Sequence, residues 1–170
     1  MVMKRGLCST FVPTNIVTTI MEIEDVIKTT KPMPLNTKTV INIMYRARLV
    51  EESVHRILKP YELSIQQYNV LRILRGQNGK PANLSTVTER MVDPNSNTTR
   101  LIDKLLSKGL VQREICKSNR RKVELFITPK GLNLLNILDP ITEKNNAEIL
   151  SQLDSADLEQ LNTYLNNIHL

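Results

Sequence analysis

The residues of this chain best equipped for chemistry are hydrogen-bond donors and cations set close together. Ser96, Asn97, Thr98, Thr99, Arg100 and Lys104 form one group, and Arg120 and Arg121 follow further along. Short hydroxyl and amide side chains can anchor phosphates or read base edges, and guanidinium groups bind both in bidentate fashion. Such a set addresses a nucleic acid. Catalysis has no comparable foundation. The two histidines, His55 and His169, are isolated, and there is no glycine-rich phosphate loop and no His, Cys or carboxylate cluster at metal-ligand spacing. No enzyme activity, cofactor or metal is therefore expected.

The elements that must position these residues are legible around them. Asp93, Pro94, Asn95 and Ser96 supply turn and cap chemistry for a helix whose apolar positions, Leu101, Ile102 and Leu105, recur from Thr98 at helical spacing. Gly109 closes that helix, since glycine best adopts the left-handed conformation of a C-terminal cap. The opposite face carries Ser96, Thr99, Arg100, Asp103 and Ser107, with Asn97 and Lys104 on its flanks. By itself this is the polar face of any amphipathic helix, and the neighbouring elements give it direction. Leu84–Met91 fits a short preceding helix joined to it by a sharp turn. Val111, Arg113 and Ile115, then Val123, Leu125 and Ile127, alternate as paired strands. Lys117-Ser118-Asn119-Arg120-Arg121-Lys122 forms the cationic tip between them, suited to lie along phosphates with an arginine in a narrow minor groove. The whole reads as a winged helix-turn-helix.

Those segments resemble the MarR family of bacterial transcriptional regulators. The resemblance is carried by Leu63-Ser64, Gln67-Tyr68, Val70-Leu71 and Leu74, by Thr99–Leu105, by Lys108-Gly109-Leu110-Val111 with Arg113, by Asn119-Arg120-Arg121, and by Leu125–Gly131. It spans about residues 37–170 in order and spacing. It implies a mainly α fold with a small antiparallel β wing, whose N- and C-terminal helices form a dimerisation platform. It also implies that the helix matching Asn95–Ser107 reads the major groove, and it sets Arg121 at the place of the wing arginine that enters the minor groove. The family's wing usually carries Asp-x-Arg. Here Asn119 replaces the aspartate, so the ion pair that would brace the arginine is absent.

Charge is distributed to match. The chain carries a net +6, and residues 72–122 hold twelve Lys and Arg against four acids, a net +8, whereas residues 123–170 are net −5. The excess sits on the proposed reading head. A basic patch alone also suits RNA or a membrane surface, and the winged motif favours duplex DNA. Aromatic residues make up 4% of the chain, little material for stacking single-stranded bases. No apolar run approaches the roughly 20 residues of a membrane span. Two cysteines, Cys8 and Cys116, are too few for a disulfide framework and fit a reducing cytoplasm. Cys116 adjoins cations that favour a thiolate. The redox-sensing MarR-like proteins typically keep their cysteine in the N-terminal helical part, so Cys116 is read as inert.

Four regions follow: an N-terminal extension and linker over 1–36, a platform helix over 37–63, the DNA-binding domain over 64–128 and C-terminal dimerisation helices over 129–170. Residues 1–20 are read as an upstream-start extension or a disordered tail. A helical stripe runs through Val40, Met44, Ala47, Val54 and Ile57, and His55 is read as a partly exposed helix histidine. Ser64 and Gln67 form a capping box, and Gly76–Pro81 is a loop. Tyr61 and Tyr68 are read as packing residues rather than the border of an effector pocket. Thr128-Pro129 opens a helix in which Asp139-Pro140 is expected to force a kink or a restart. Asp154 and Asp157 cap a last helix with Leu158, Leu161, Leu165 and Ile168 along one side. More apolar surface is present at both ends than one small domain covers, which an isologous homodimer would bury. The expected function is a cytoplasmic, homodimeric regulator of transcription, a repressor that binds a pseudopalindromic site and responds to a small molecule. The alternatives are a winged-helix protein-interaction module and a redox-responsive regulator using Cys116.

Overall fold

The computed structural model describes residues 22–94, 96–115 and 123–169. The expectations for residues 1–20, Asn95, both cysteines and the wing tip with Arg120 and Arg121 lie outside the described residues. Internal packing divides the chain after Tyr45 into two units, and each is described by itself.

In the first unit a single turn of helix, α1 (Ile23–Val26), precedes the start of α2 (Leu35–Leu58). Lys38 holds the two together, its ammonium 2.9 Å from Glu22 and 3.0 Å from Glu24. The hydrogen bond it donates to Glu22, then that to Glu24, raises the Lys38 pKa above its ordinary value. Helix α2 begins two residues earlier than the apolar period suggests, directly after Pro34, whose carbonyl accepts from the Lys38 N–H. Leu35, Val40, Ile43 and Met44 along it are exposed.

The second unit is organised around α3 (Ile65–Arg75), which packs against α4 (Leu84–Glu89), α5 (Thr98–Ser107), β2 (Val123–Ile127) and α6 (Pro129–Ile149). The Ser64–Gln67 capping box forms as expected, each side chain bonded to the other's backbone N–H. Tyr68, Val70, Leu71 and Leu74 of α3 are buried against Val87, Ile102, Leu105, Leu125, Leu135 and Leu138 in one core. Each fully buried leucine there contributes about 1.5–3 kcal/mol relative to exposure.

Strands β1 (Val111–Ile115) and β2 pair antiparallel, with Val111 opposite Ile127 and Ile115 opposite Val123. A third strand is reduced to one residue. Ala82, at the end of the expected loop, exchanges both backbone hydrogen bonds with Leu125 (3.0 and 2.8 Å). Helix α6 opens on a Thr128 cap with Pro129 at its first position. It then runs through Pro140 without the expected restart. Proline there removes one N–H, and the carbonyl it orphans belongs to the exposed Asn136, which water can satisfy. Beyond Pro140 the helix leaves Ile141, Ala147 and Ile149 exposed, and the buried residue on that stretch is Thr142. Helix α7 (Ser155–Asn166) has its Asp154–Asp157 capping box and no buried residue.

Candidate nucleic-acid interface

Helix α5 owes its orientation to two sets of bonds, one at each end. At the N-terminus Asn97 is the cap, with non-helical dihedrals and a side-chain oxygen that accepts from the Arg100 N–H (3.1 Å). Ser96 does not cap. Its hydroxyl donates to Asp93 (2.9 Å), closing the turn that precedes the helix. Helix α5 therefore starts at Thr98, three residues later than the expected start.

Thr98 departs from the reading role expected of it. Only 5% of the residue is exposed, and its hydroxyl lies between that of Thr88 on α4 (3.1 Å) and the Ser96 carbonyl (3.3 Å). It fastens α5 to α4. The first helix is capped by Asn83, which accepts from the Thr86 N–H, a cap that the rule of an Asn before an apolar run would have found.

At the C-terminal end Gly109 takes φ +67°, and the N–H groups of Gly109 and Leu110 bond back to Leu106 and Leu105. Thr128 then joins this end to α6. Its hydroxyl donates to the Gly109 carbonyl (2.8 Å) and accepts from the Gly131 N–H (3.1 Å). Lys130 reaches the Lys108 carbonyl, while Lys108 reaches the Glu62 carbonyl (2.7 Å) before α3. A Cβ on Gly131 would sit 2.4 Å from the Leu110 carbonyl oxygen, so the close approach of α6 to this corner requires glycine.

Thr99, Arg100 and Lys104 are left on the exposed face of α5 with Asn97 at its tip, and Ser96 is half-buried. Arg100, Lys104, Asn97 and Ser96 line one concavity of about 350 Å³ with Gln66 and Asp93. The side chains of Arg100 and Lys104 give that concavity two cations, which suits a phosphate. Asp103 on the same face is engaged by Arg113 of β1 (3.1 Å), an exposed pair that aligns the wing base with the helix rather than adding much stability.

A second cavity, of about 410 Å³, lies behind the turn. Its walls combine Val54, Ile65 and Met91 with Gln66, Asn69, Arg72, Asp93 and Asn146, and Tyr68 and Thr142 form part of its lining. Tyr68 is thus both a packing residue, as expected, and a border of this space. Its hydroxyl donates to Asp139 (3.0 Å) and lies 3.1 Å from that of Thr142, and the Arg72 guanidinium lies over its ring. Burial is the main cause of the raised Tyr68 pKa. Burial also pushes Asp139 up, but the hydrogen bonds from Arg75 and Tyr68 and the charges of Arg75 and Arg72 together outweigh it and lower its pKa. His55 is exposed, as read. Gln66, Asn69 and Arg72 were not singled out in the sequence, because nothing local to α3 shows that a turn more than twenty residues on will meet them.

Two helices at a tight turn, the second capped and facing outward beside a two-stranded wing, define a winged helix-turn-helix protein. Residues 63–123 match the model of the MarR family. Among solved structures, a MarR transcription factor from Planctomyces limnophilus is 28% identical (TM-score 0.63), matching 81% of this chain and all of that one. BpsR of Bordetella bronchiseptica, whose DNA binding is regulated by 6-hydroxynicotinic acid, is 19% identical (TM-score 0.70) over 81% of this chain and 98% of its own. An organohalide-sensing regulator in its 2,4-dichlorophenol-bound form is 17% identical (TM-score 0.71) over 81% and 83%. The last two share the fold. No described helix is long and apolar enough to cross a membrane.

Proposed function

We propose that the protein is a homodimeric, sequence-specific double-stranded DNA-binding repressor that responds to a small molecule. The observation that carries this reading is α5: one face is built into the core through Thr98, Ile102 and Leu105, and the other presents Asn97, Thr99, Arg100 and Lys104. In this reading Arg100 contacts base or phosphate, Ser96, Asn97 and Thr99 anchor or read the site, and Lys104 binds the backbone. Arg120 and Arg121 enter or straddle the minor groove. Thr98 is assigned to holding the helix instead.

Residues 64–128 form the DNA-binding domain in this proposal, and the helices of 37–63 and 129–170 form the dimer platform behind an extension over 1–36. The exposed apolar residues of α2 and α7 support it, since a second copy would cover them. A two-fold dimer sets the two α5 helices about one DNA turn apart, roughly 10 base pairs, so the preferred site is pseudopalindromic. The cavity of about 410 Å³ supports the effector response, as do the small ring compounds named with two structures of the same fold.

Fluorescence anisotropy on duplexes enriched from a random pool by the protein tests this reading. Affinity should fall steeply with salt. Arg100→Ala should cost about 1–3 kcal/mol if the residue reads a base. Binding that ignores salt, or an unaffected Arg100→Ala variant, would sink the assignment.

A further inference from the structure

Asn78-Gly79 is the one Asn-Gly step in the chain, and it crosses the turn that follows α3. Both residues are exposed, and both take positive φ, 52° and 81°. Asparagine tolerates that region better than most side chains, yet it still prefers negative φ. The Asn78 N–H donates to the Arg75 carbonyl (3.0 Å), and the Lys80 N–H donates to the Gln77 carbonyl (3.0 Å). Between them the Gly79 N–H and the Asn78 carboxamide make no hydrogen bond among the described residues. A Cβ built on Gly79 would meet nothing within 4 Å, so its nitrogen is sterically open. Nearby asparagines are committed: Asn83 and Asn97 spend their side chains capping α4 and α5, and Asn69 lies within α3. Asn78 instead shares an open concavity of about 590 Å³ with Arg72 and Arg75.

We infer that Asn78 is a site of spontaneous deamidation to isoaspartate and aspartate, and that isoaspartate there loosens the base of the wing. The Gly79 nitrogen loses its proton to solvent base and attacks the Asn78 Cγ. The new N–Cγ bond forms, the bond from Cγ to the side-chain nitrogen breaks, and ammonia leaves with a proton from water. Water then opens the cyclic imide at either carbonyl. Negative charge gathers on the attacking nitrogen and then on the carboxamide oxygen, which the guanidinium groups of Arg72 and Arg75 favour. The attack requires the Asn78–Gly79 peptide to turn, and the bond that resists is the one from Lys80 to Gln77. A single bond at an exposed turn opens readily. Isoaspartate carries the main chain through its Cβ and Cγ, which lengthens the connection between α3 and Ala82 by a methylene. Ala82 alone stands beside β2, so its two bonds to Leu125 absorb the change.

Warm incubation of the full chain at neutral pH, followed by peptide mapping, tests the site. The peptide that holds Asn78 should gain the mass difference between O and NH, with isoaspartate in excess of aspartate when labelled by an isoaspartyl methyltransferase. Asn83 and Asn97 should stay intact, and Asn78→Gln should abolish the change. Conversion in the folded chain should be slower than in a free peptide of residues 74–82 by no more than about tenfold, the protection one turn bond gives. Stronger protection would overturn the proposal, as would equal conversion at Asn83 and Asn97, which would assign the reaction to unfolded chains. Hydrogen exchange at the Ala82 amide reads the consequence. It should be faster after conversion and unchanged in Asn78→Gln incubated alongside. An Ala82 amide as well protected after conversion as before would overturn the effect on the wing.

Discussion

The region around α3 and the helix at the C-terminus obey opposite rules, although both are amphipathic and both are capped by the same motif. Helix α3 opens on Ser64–Gln67 and buries five residues, whereas α7 opens on Asp154–Asp157 and buries none. Capping and periodicity therefore make a helix without saying what covers it. The α3 region satisfies its apolar surface within one chain, and α7 holds Leu161, Tyr164 and Leu165 exposed, with Ile168 exposed just after it. The first half of α2 shows the same exposure in its own unit. What separates the two cases is that α3 lies among four elements brought to it by short connections.

Substitution can break that contrast. Leu105→Ala should cost about 2–5 kcal/mol in denaturant unfolding, since the side chain is wholly buried and leaves a cavity. Leu165→Ala should change the unfolding of dilute protein by no more than about 0.5 kcal/mol while weakening self-association measured by sedimentation. A large folding loss from Leu165→Ala would show that α7 is covered within its own chain. Gly131→Ala, a substitution that adds one methyl group, should cost about 1–3 kcal/mol by forcing α6 away from the Leu110 carbonyl.

Smaller effects sharpen the comparison. Asn97→Ala should lower stability by about 1 kcal/mol and reduce duplex affinity, because the cap both orders the first turn and lines the concavity. The corresponding change at Asp154 should touch stability alone. Acid titration gives the least. The folded-state pKa of Asp139 lies below its ordinary value, so its contribution is complete above about pH 4 and lost as pH falls through the depressed value. The stability difference between wild type and Asp139→Asn should therefore shrink on acidification below about pH 4. The carboxylate is a third exposed, and solvent screening keeps the effect small. A difference that persists at lower pH would assign the role to packing rather than charge.

Local chemistry was enough for much of the fold. The Ser64, Thr128 and Asp154 caps and the Gly109 terminator all depend on neighbours a few residues away. The candidate site was legible in part. The periodicity that placed Thr98 on the inner stripe should have excluded it as a reader, and its burial shows why. The choice of Asn97 over Ser96 as cap was not legible. Both are good cap residues, and the outcome turned on Asp93 taking the Ser96 hydroxyl.

The sequence by itself determined the winged helix-turn-helix, because its order of caps, apolar periods and turn residues is a set of short-range preferences that agree with one another. Only the tertiary structure decided that Ala82 alone stands in for a third strand, that Gly131 must be glycine, and that Gln66 and Asp93 form one wall between two cavities. Each of these depends on backbones or side chains meeting across more than twenty residues of chain, and no local spacing encodes such a meeting.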